Sequence, residues 1–417
     1  MTPRTEVIDD GSGGDVQQAV IFGAGAVGRG FLGQLLCDAG WSVTFLDVDP
    51  VLVAALASQG EYPHVILGDT ISRRRTVGPV TAIDARDTTR AVSALVAADL
   101  AATSVGGRVL PAVADTLAEA VRQRIAAGGP PLNILLAENV HGCAALMRDL
   151  LRERLPDVPA EVLAGQVGLL ETSIGRMIPL PDPAVREAEP TLVRVEPYQM
   201  LPYDSAAVRG EPLAIPGLVA DPTVPFSYYG DRKLYVHNMG HCLTACLGRL
   251  LGLDLVWQAV GRPDLRYLVR AAMLEAALAL AAHYGVAPGP LVDHIDDLLH
   301  RFGNRALADT TERVARDLER KLAAGDRLLG AYRLAASQGL ATRHLSLAIA
   351  AAGTLLTRQD GWDHHRLWAH LDEALADLLD DSRRALLADQ LAALADGLDV
   401  AAQLALLDHT FEPSRVL

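Results

Sequence analysis

AVIFGAGAVGRGFLGQLLCDAG (19–40), followed by WSVTFLDVD (41–49), is the stretch that decides the fold. A buried-type apolar run enters a glycine turn, a helical pattern follows and stops at Gly40 as a C-terminal cap, and a second apolar run begins. The turn itself, Gly23-Ala24-Gly25-Ala26-Val27-Gly28, is a GxGxxG. Alone that pattern is weak, but between a strand and a helix each glycine has a task. Gly23 makes the tight turn, Gly25 lets backbone approach a pyrophosphate, and Gly28 lets helix and strand pack closely. The pyrophosphate would rest on the amides that open the helix, where the helix dipole favours an anion, with Arg29 beside them. Asp47 falls 19 residues after Gly28, at the end of the second strand. A carboxylate there accepts both ribose hydroxyl protons and repels a 2′-phosphate. Residues 48–52, Val-Asp-Pro-Val-Leu, carry no base, so the expected cofactor is NAD, not NADP.

Outward from this unit the same rhythm continues. LAATSVGG (100–107), LNILLAEN (132–139) and QVGLLETSI (166–174) read as buried parallel strands. HVILGDTISRRRTVGPV (64–80) alternates and reads as a hairpin, with Arg73, Arg74 and Arg75 in a solvated turn. A proline-rich stretch from about 185 to 230 reads as a connection or a small sheet extension. Beyond residue 231, Leu- and Ala-rich segments of helical period fill 241–253, 263–284, 289–302, 309–323, 343–357, 363–380 and 382–406. The expected class is α/β: an N-terminal Rossmann-type doubly wound domain, then a mainly α-helical C-terminal domain. The expected boundaries are a flexible extension over 1–18, an NAD-binding domain over 19–212 and a mainly helical substrate and catalytic domain over 213–417.

Composition narrows the possibilities. Half of the 417 residues are apolar, and 37 Lys and Arg against 51 Asp and Glu give a net charge of −14. An acidic chain without a basic stripe is a poor nucleic-acid binder. The 4 cysteines do not make a disulfide scaffold, which fits a reducing compartment. The first 18 residues lack the apolar core of a signal peptide, and no run of about 18 consecutive apolar residues predicts a membrane span. The expectation is a soluble cytoplasmic protein whose partner is a small molecule. The sequence does not choose between a monomer and a small homo-oligomer.

Hydride chemistry at a secondary alcohol needs a proton-transfer group and donors for the carbonyl oxygen. DRKLYVHNMGHCLTACLGRLLG (231–252) offers Lys233, Asn238 and His241. At 100° per residue, Asn238 lies about 140° and His241 about 80° round a helix from Lys233, so the three can line one wall of a cleft. The pair Glu138-Asn139 ends an apolar strand, at the edge where open parallel sheets bind ligands, which puts Asn139 near the nicotinamide. Other features read as bland. Cys242 and Cys246 sit one helical turn apart beside His241, in an apolar helix without a clear fourth metal ligand. His364-His365, Asp296-Asp297 and Asp380-Asp381 read as helix starts and solvated helix ends. No metal site is expected.

Taken in order, VIFGAGAVGRGFLGQLL, DVD, TSVGG, AENVHG, KLYVHNMGH, RFGNRALADTTERVARDLERKLAAGDRL (301–328) and LATRHLSLAIAAA (340–352) resemble the polyol-specific long-chain dehydrogenases, the mannitol dehydrogenase family. The similarity spans nearly all of 19–400, and its most specific piece is Lys-x4-Asn-x2-His at Lys233, Asn238 and His241. The resemblance implies a metal-independent reaction with Lys233 as general acid/base, Asn139 and Asn238 as an oxyanion hole, and His241 on a substrate oxygen. It implies interconversion of a polyol with its ketose, with a sugar-alcohol phosphate such as mannitol 1-phosphate and its product fructose 6-phosphate foremost. Arg313 and Arg343 are then the candidates for the phosphate, with Arg176 and Lys321 weaker ones. Relatives carry a Val-Asp-Arg-Ile type motif where this chain reads Ile174-Gly175-Arg176-Met177, so a carboxylate near the substrate is missing. That leaves a non-phosphorylated polyol or cyclitol dehydrogenase and a hexuronate oxidoreductase as alternatives. A non-catalytic dinucleotide sensor is the alternative from another class.

Overall fold

The computed structural model describes residues 16–140, 142–179, 183–395 and 397–408; most of the expected N-terminal extension lies outside them. Strands β1 (Gln18–Phe22), β2 (Ser42–Asp47), β3 (Tyr62–Leu67), β4 (Ser72–Val77), β5 (Val80–Asp84), β6 (Leu100–Thr103), β7 (Leu132–Leu136), β8 (Val167–Glu171) and β9 (Val193–Val195) form the N-terminal half. Six of them make one sheet in the order β5-β2-β1-β6-β7-β8, parallel throughout. The apolar runs are continuous because both faces are covered. Ala19 and Ile21 join Val43, Phe45 and Leu135 on one face. Val20 and Phe22 join Leu46, Ile134 and Leu136 on the other. Each of the Val, Leu, Ile and Phe side chains among them contributes about 1.5–3 kcal/mol relative to leaving it exposed.

The hairpin β3-β4 is antiparallel as expected, and β9 joins it to make a second sheet, β4-β3-β9. Arg73, Arg74 and Arg75 lie on strand β4, not in the turn. Arg74 pairs with Glu189, and Arg75 with Asp38 at 2.7 Å. Strand β5, which the sequence reading did not separate from the hairpin, takes the outer place of the large sheet. The small sheet covers the glycine turn: Tyr62 Oη donates to the Arg29 carbonyl at 2.6 Å, and Gly30 packs against Val193 and Val195.

The C-terminal half is helical around one Leu/Ala core, with Pro263–Tyr284 and Arg343–Gln359 as its long members. Two of the expected helices are broken. Residues 309–323 fold as Thr311–Val314 and Leu318–Lys321, with Asp317 left-handed at φ 61° between them. Residues 382–406 fold as Asp381–Leu394 and Val400–Asp408. A helix the sequence reading passed over, Arg327–Ser337, is capped by Asp326. Among the described residues no helix is long and apolar enough to cross a membrane.

Polar ties cross from the helical half to the nucleotide half. Arg301, at the end of helix Gly289–Phe302, meets Glu196 just beyond β9 through Nε–Oε2 at 2.8 Å and Nη2–Oε1 at 2.5 Å. Both side chains are buried, and Glu196 also accepts from the Met177 amide. Asn304 Nδ2 donates to the Leu67 carbonyl at 2.8 Å. A cavity of about 780 Å³ lies between the halves, walled by Asn139, Gly175, Lys233, His241 and Arg313 among others.

Candidate active site

The carboxyl ends of β1, β2, β6 and β7 form the cofactor edge, and the glycine turn behaves there as read. A Cβ on Gly28 would stand 1.9 Å from the Gly23 carbonyl oxygen, so only glycine lets the helix start against the strand end. Above Gly25 nothing lies within 4 Å, which leaves its backbone open to a ligand. Asp47 Oδ2 accepts from the Ala24 amide at 2.6 Å, fixing the carboxylate at the mouth of the turn. Val27, Ser104, Gly106 and Glu138 continue the same wall to Asn139. These residues fit an extended dinucleotide. The Arg29 side chain is buried, with Nε on the Ala24 carbonyl at 2.6 Å and Nη1 on the Pro190 carbonyl at 3.2 Å. It braces the turn from behind. Arg86, distant in sequence, comes to the Val48 carbonyl at 3.0 Å, but Asp84 holds its guanidinium bidentately.

The opposite wall carries Lys233. Arg232–Asn238 is π-helical and runs into the α-helix Met239–Leu250. In a π turn the hydrogen bonds run i to i+5, so residues five apart lie nearly one above the other. Lys233 and Asn238 are five apart, so the π turn narrows the arc of about 140° that a regular helix would leave between them. Lys233 Nζ donates to Asn139 Oδ1 at 3.2 Å across the cleft. With its oxygen so engaged, Asn139 keeps its Nδ2 protons for another acceptor. Burial, with the Arg327 guanidinium adding to it, pushes the Lys233 amine down to about 8.

His241 stacks on Phe302 at 4.8 Å between ring centroids, and its Nε2 stands 3.0 Å from Asp309 Oδ2. Burial pushes the Asp309 carboxyl up, but His241 and Arg313 outweigh it and hold it below its ordinary value. His237 lies beneath; burial, then Arg301, holds it well below the ordinary histidine range, so it is neutral. Asp309, His237 and Arg327 were not singled out from the sequence. Only Asp326, an Asp just before an apolar helical run, gave a local signal, that of a helix cap.

The arginine candidates divide. Arg313 lines the cleft, but its Nε and Nη2 are held by Asp309 at 2.9 and 2.5 Å. Arg343 is not among the residues walling the cavity. It opens the helix Arg343–Gln359, whose first turn is fixed by Glu275 accepting from the His344 and Leu345 amides. Arg176 donates to the Gly30 and Glu196 carbonyls and to Gln34, and Lys321 to the Val314 and Arg316 carbonyls, so both are internal braces. Gly175 lines the cleft, and its carbonyl accepts from Arg301 at 2.5 Å. Cys242 and Cys246 are buried in the helical core, and among the described residues no group of three or more His, Cys, Asp or Glu could hold a metal.

A glycine-turn nucleotide edge facing an amine-bearing helix across one cleft defines a two-domain NAD-dependent dehydrogenase. Family models for the mannitol dehydrogenase Rossmann domain and the mannitol dehydrogenase C-terminal domain match residues 17–217 and 226–390, and the chain belongs to the mannitol dehydrogenase family. The mannitol-1-phosphate 5-dehydrogenase of Brevibacillus brevis is 35% identical over 335 residues, 80% of this chain and 85% of that protein. That of Bacillus licheniformis is 33% identical over 337 residues, 80% of this chain and 86% of that protein. Among solved structures, substrate-free D-sorbitol dehydrogenase superposes with a TM-score of 0.75 at 16% identity, covering 93% of this chain and 97% of that one. Pseudomonas fluorescens mannitol 2-dehydrogenase, in a ternary complex with NAD and D-mannitol, gives 0.66 at 19%, covering 95% and 94%. At those identities the two structures speak for the fold.

Proposed function

We propose that this protein interconverts mannitol 1-phosphate and fructose 6-phosphate with NAD, in the cytoplasm. The observation that carries the reading is the cross-cleft contact of Lys233 with Asn139, beside the open glycine turn. The names of the bacterial relatives support the phosphorylated substrate. So does the charge of the cleft. In a chain of net charge −14, its walls carry Arg176, Arg194, Lys233, Arg313 and Arg327 against Glu138 and Asp309. A cationic cleft in an acidic protein selects an anionic ligand.

NAD held by the glycine turn and Asp47 supplies the hydride acceptor for polyol oxidation and, reduced, the donor for ketose reduction. The chain supplies the proton chemistry. In oxidation the neutral Lys233 amine takes the hydroxyl proton of the reacting carbon; in reduction the ammonium returns it. The amides of Asn139 and Asn238 donate to that oxygen as negative charge develops, which is the work of an oxyanion hole. Asp309 Oδ2, 3.0 Å from His241 Nε2, and the Phe302 ring stacked on the imidazole hold His241 in the cleft wall, where it orients a substrate hydroxyl. Because oxidation needs the free amine, its kcat/KM should rise with pH through about 8; because reduction needs the ammonium, its kcat/KM should fall above about 8. Initial-rate profiles in both directions check this, and a limb near 10.5 would deny that the cleft depresses the amine.

A ketouronic acid is the second reading, because a cationic cleft also accepts a carboxylate. NADH consumption over fructose 6-phosphate, fructose and ketouronic acids tests both. The expected order puts fructose 6-phosphate first by kcat/KM. Preference for a ketouronate would replace the substrate, and no turnover with any ketose would leave a dinucleotide sensor.

A further inference from the structure

Five cations wall the cleft, and three of them have duties already. Lys233 carries the proton, Arg176 is committed to three protein acceptors, and Arg313 is held by Asp309. Arg194 on β9 and Arg327 remain. We propose that Arg327 is the anchor for the phosphoryl group of the substrate, a reading that rests on the phosphorylated substrate given above.

The geometry favours Arg327 over Arg194 on three counts. First, Arg327 opens the helix Arg327–Ser337, which is locked to the lysine-bearing segment. A Cβ on Gly330 would stand 2.5 Å from the Tyr235 ring, and Tyr235 Oη donates to the Gly325 carbonyl at 3.4 Å. Arg327 and Lys233 are therefore fixed relative to one another, as the two ends of one substrate require. Second, the guanidinium is aimed. Asp326 Oδ1 takes its Nε at 2.8 Å and its backbone amide at 2.6 Å, while Asp326 Oδ2 takes Arg320 Nη1 at 2.9 Å. One edge of the guanidinium is thus pinned, and both Nη groups remain for a dianion, the fork that phosphate oxygens accept in parallel. Third, the side chain is only 16% exposed, so a charge pair formed there is weakly screened by solvent. Arg194 belongs to the other half, where its backbone pairs with Val65 and its charge acts on Glu189, and among the described residues no side-chain hydrogen bond fixes its guanidinium toward the cleft.

The nearness of Arg327 to the reaction centre is felt by Lys233, whose amine it helps to depress. Selectivity for a phosphorylated chain and the poise of the acid/base group then share one residue, and Asp326 orients it.

Steady-state kinetics of wild type, Arg327→Gln, Arg327→Lys and Arg194→Gln on fructose 6-phosphate and fructose test the assignment. A charge-assisted pair contributes about 1.5–3 kcal/mol, so Arg327→Gln should lower the preference for fructose 6-phosphate over fructose by about 10- to 100-fold. Arg327→Lys should recover part of it as a point charge, and Arg194→Gln should change it less than about threefold. Quenching by NADH reports whether each variant is folded. Preference retained in Arg327→Gln, or an equal loss in Arg194→Gln, overturns the anchor while leaving the substrate reading intact. A wild-type enzyme without preference for the phosphorylated ketose overturns both.

Discussion

Lys233→Ala is expected to lower turnover by about 10²–10⁴-fold in both directions while NADH still binds, because positioned proton transfer contributes on that scale. The expectation follows from where the amine sits. Burial and the Arg327 field push it to about 8, so near neutrality it exists in both protonation states and can serve as base and acid in turn. Of its neighbours in the cleft, His237 is held well below its ordinary range by burial and then Arg301, and Asp309 below its own by His241 and Arg313. The Lys233 amine bonds to Asn139 Oδ1 and not to the glycine turn or Asp47, so its removal is expected to leave those in place. Stopped-flow turnover with parallel fluorescence titration of NADH separates the two effects. Turnover near wild type would remove Lys233 from the chemistry, and lost NADH binding would give it a cofactor role instead.

Arg301→Ala should cost about 3–5 kcal/mol of stability, the loss expected when one partner of a buried ion pair is removed. Glu196 would keep the Met177 amide as a donor and the more distant charge of Arg176, but would lose the guanidinium paired with its carboxylate. The Gly175 carbonyl would lose its donor, and the Tyr198 ring would lose the guanidinium that stacks 4.1 Å from its centroid. The pair also spans the two halves beside the cleft, so the loss should appear as earlier separation of the halves in denaturant. Replacing both partners with apolar residues, Glu196→Leu with Arg301→Met, should recover much of the loss, since desolvation of the charges offsets much of what their attraction gains. Urea unfolding followed by circular dichroism and Trp fluorescence measures this. A single variant within about 1 kcal/mol of wild type would show that the pair does not hold the cleft.

The nucleotide edge was legible in the sequence because its constraints are local. Gly28 answers to the Gly23 carbonyl five residues before it, and Asp47 and Asn139 follow from the rule that ligands meet the carboxyl ends of parallel strands. Lys233, Asn238 and His241 were found by helical spacing, although the turn that aligns the first two is π-helical, a local distortion with no composition signal of its own. What escaped depends on contacts between distant segments. Asp309 acquires its place only when residues 305–313 fold back beside His241, and Glu196 meets Arg301 across 105 positions. Arg343 lies in a segment that resembles the family, while Glu275, 69 positions before His344, holds the first turn of its helix and Arg343 does not wall the cavity. Strand β5 was missed because it follows the hairpin with almost no break.

A crystal structure of the ternary complex with NADH and fructose 6-phosphate would test the central claim most directly. Lys233 Nζ is expected within hydrogen-bonding distance of the reacting ketose oxygen, with the amides of Asn139 and Asn238 on that same atom. An amine turned to solvent, or a substrate oxygen held by other donors, would contradict it.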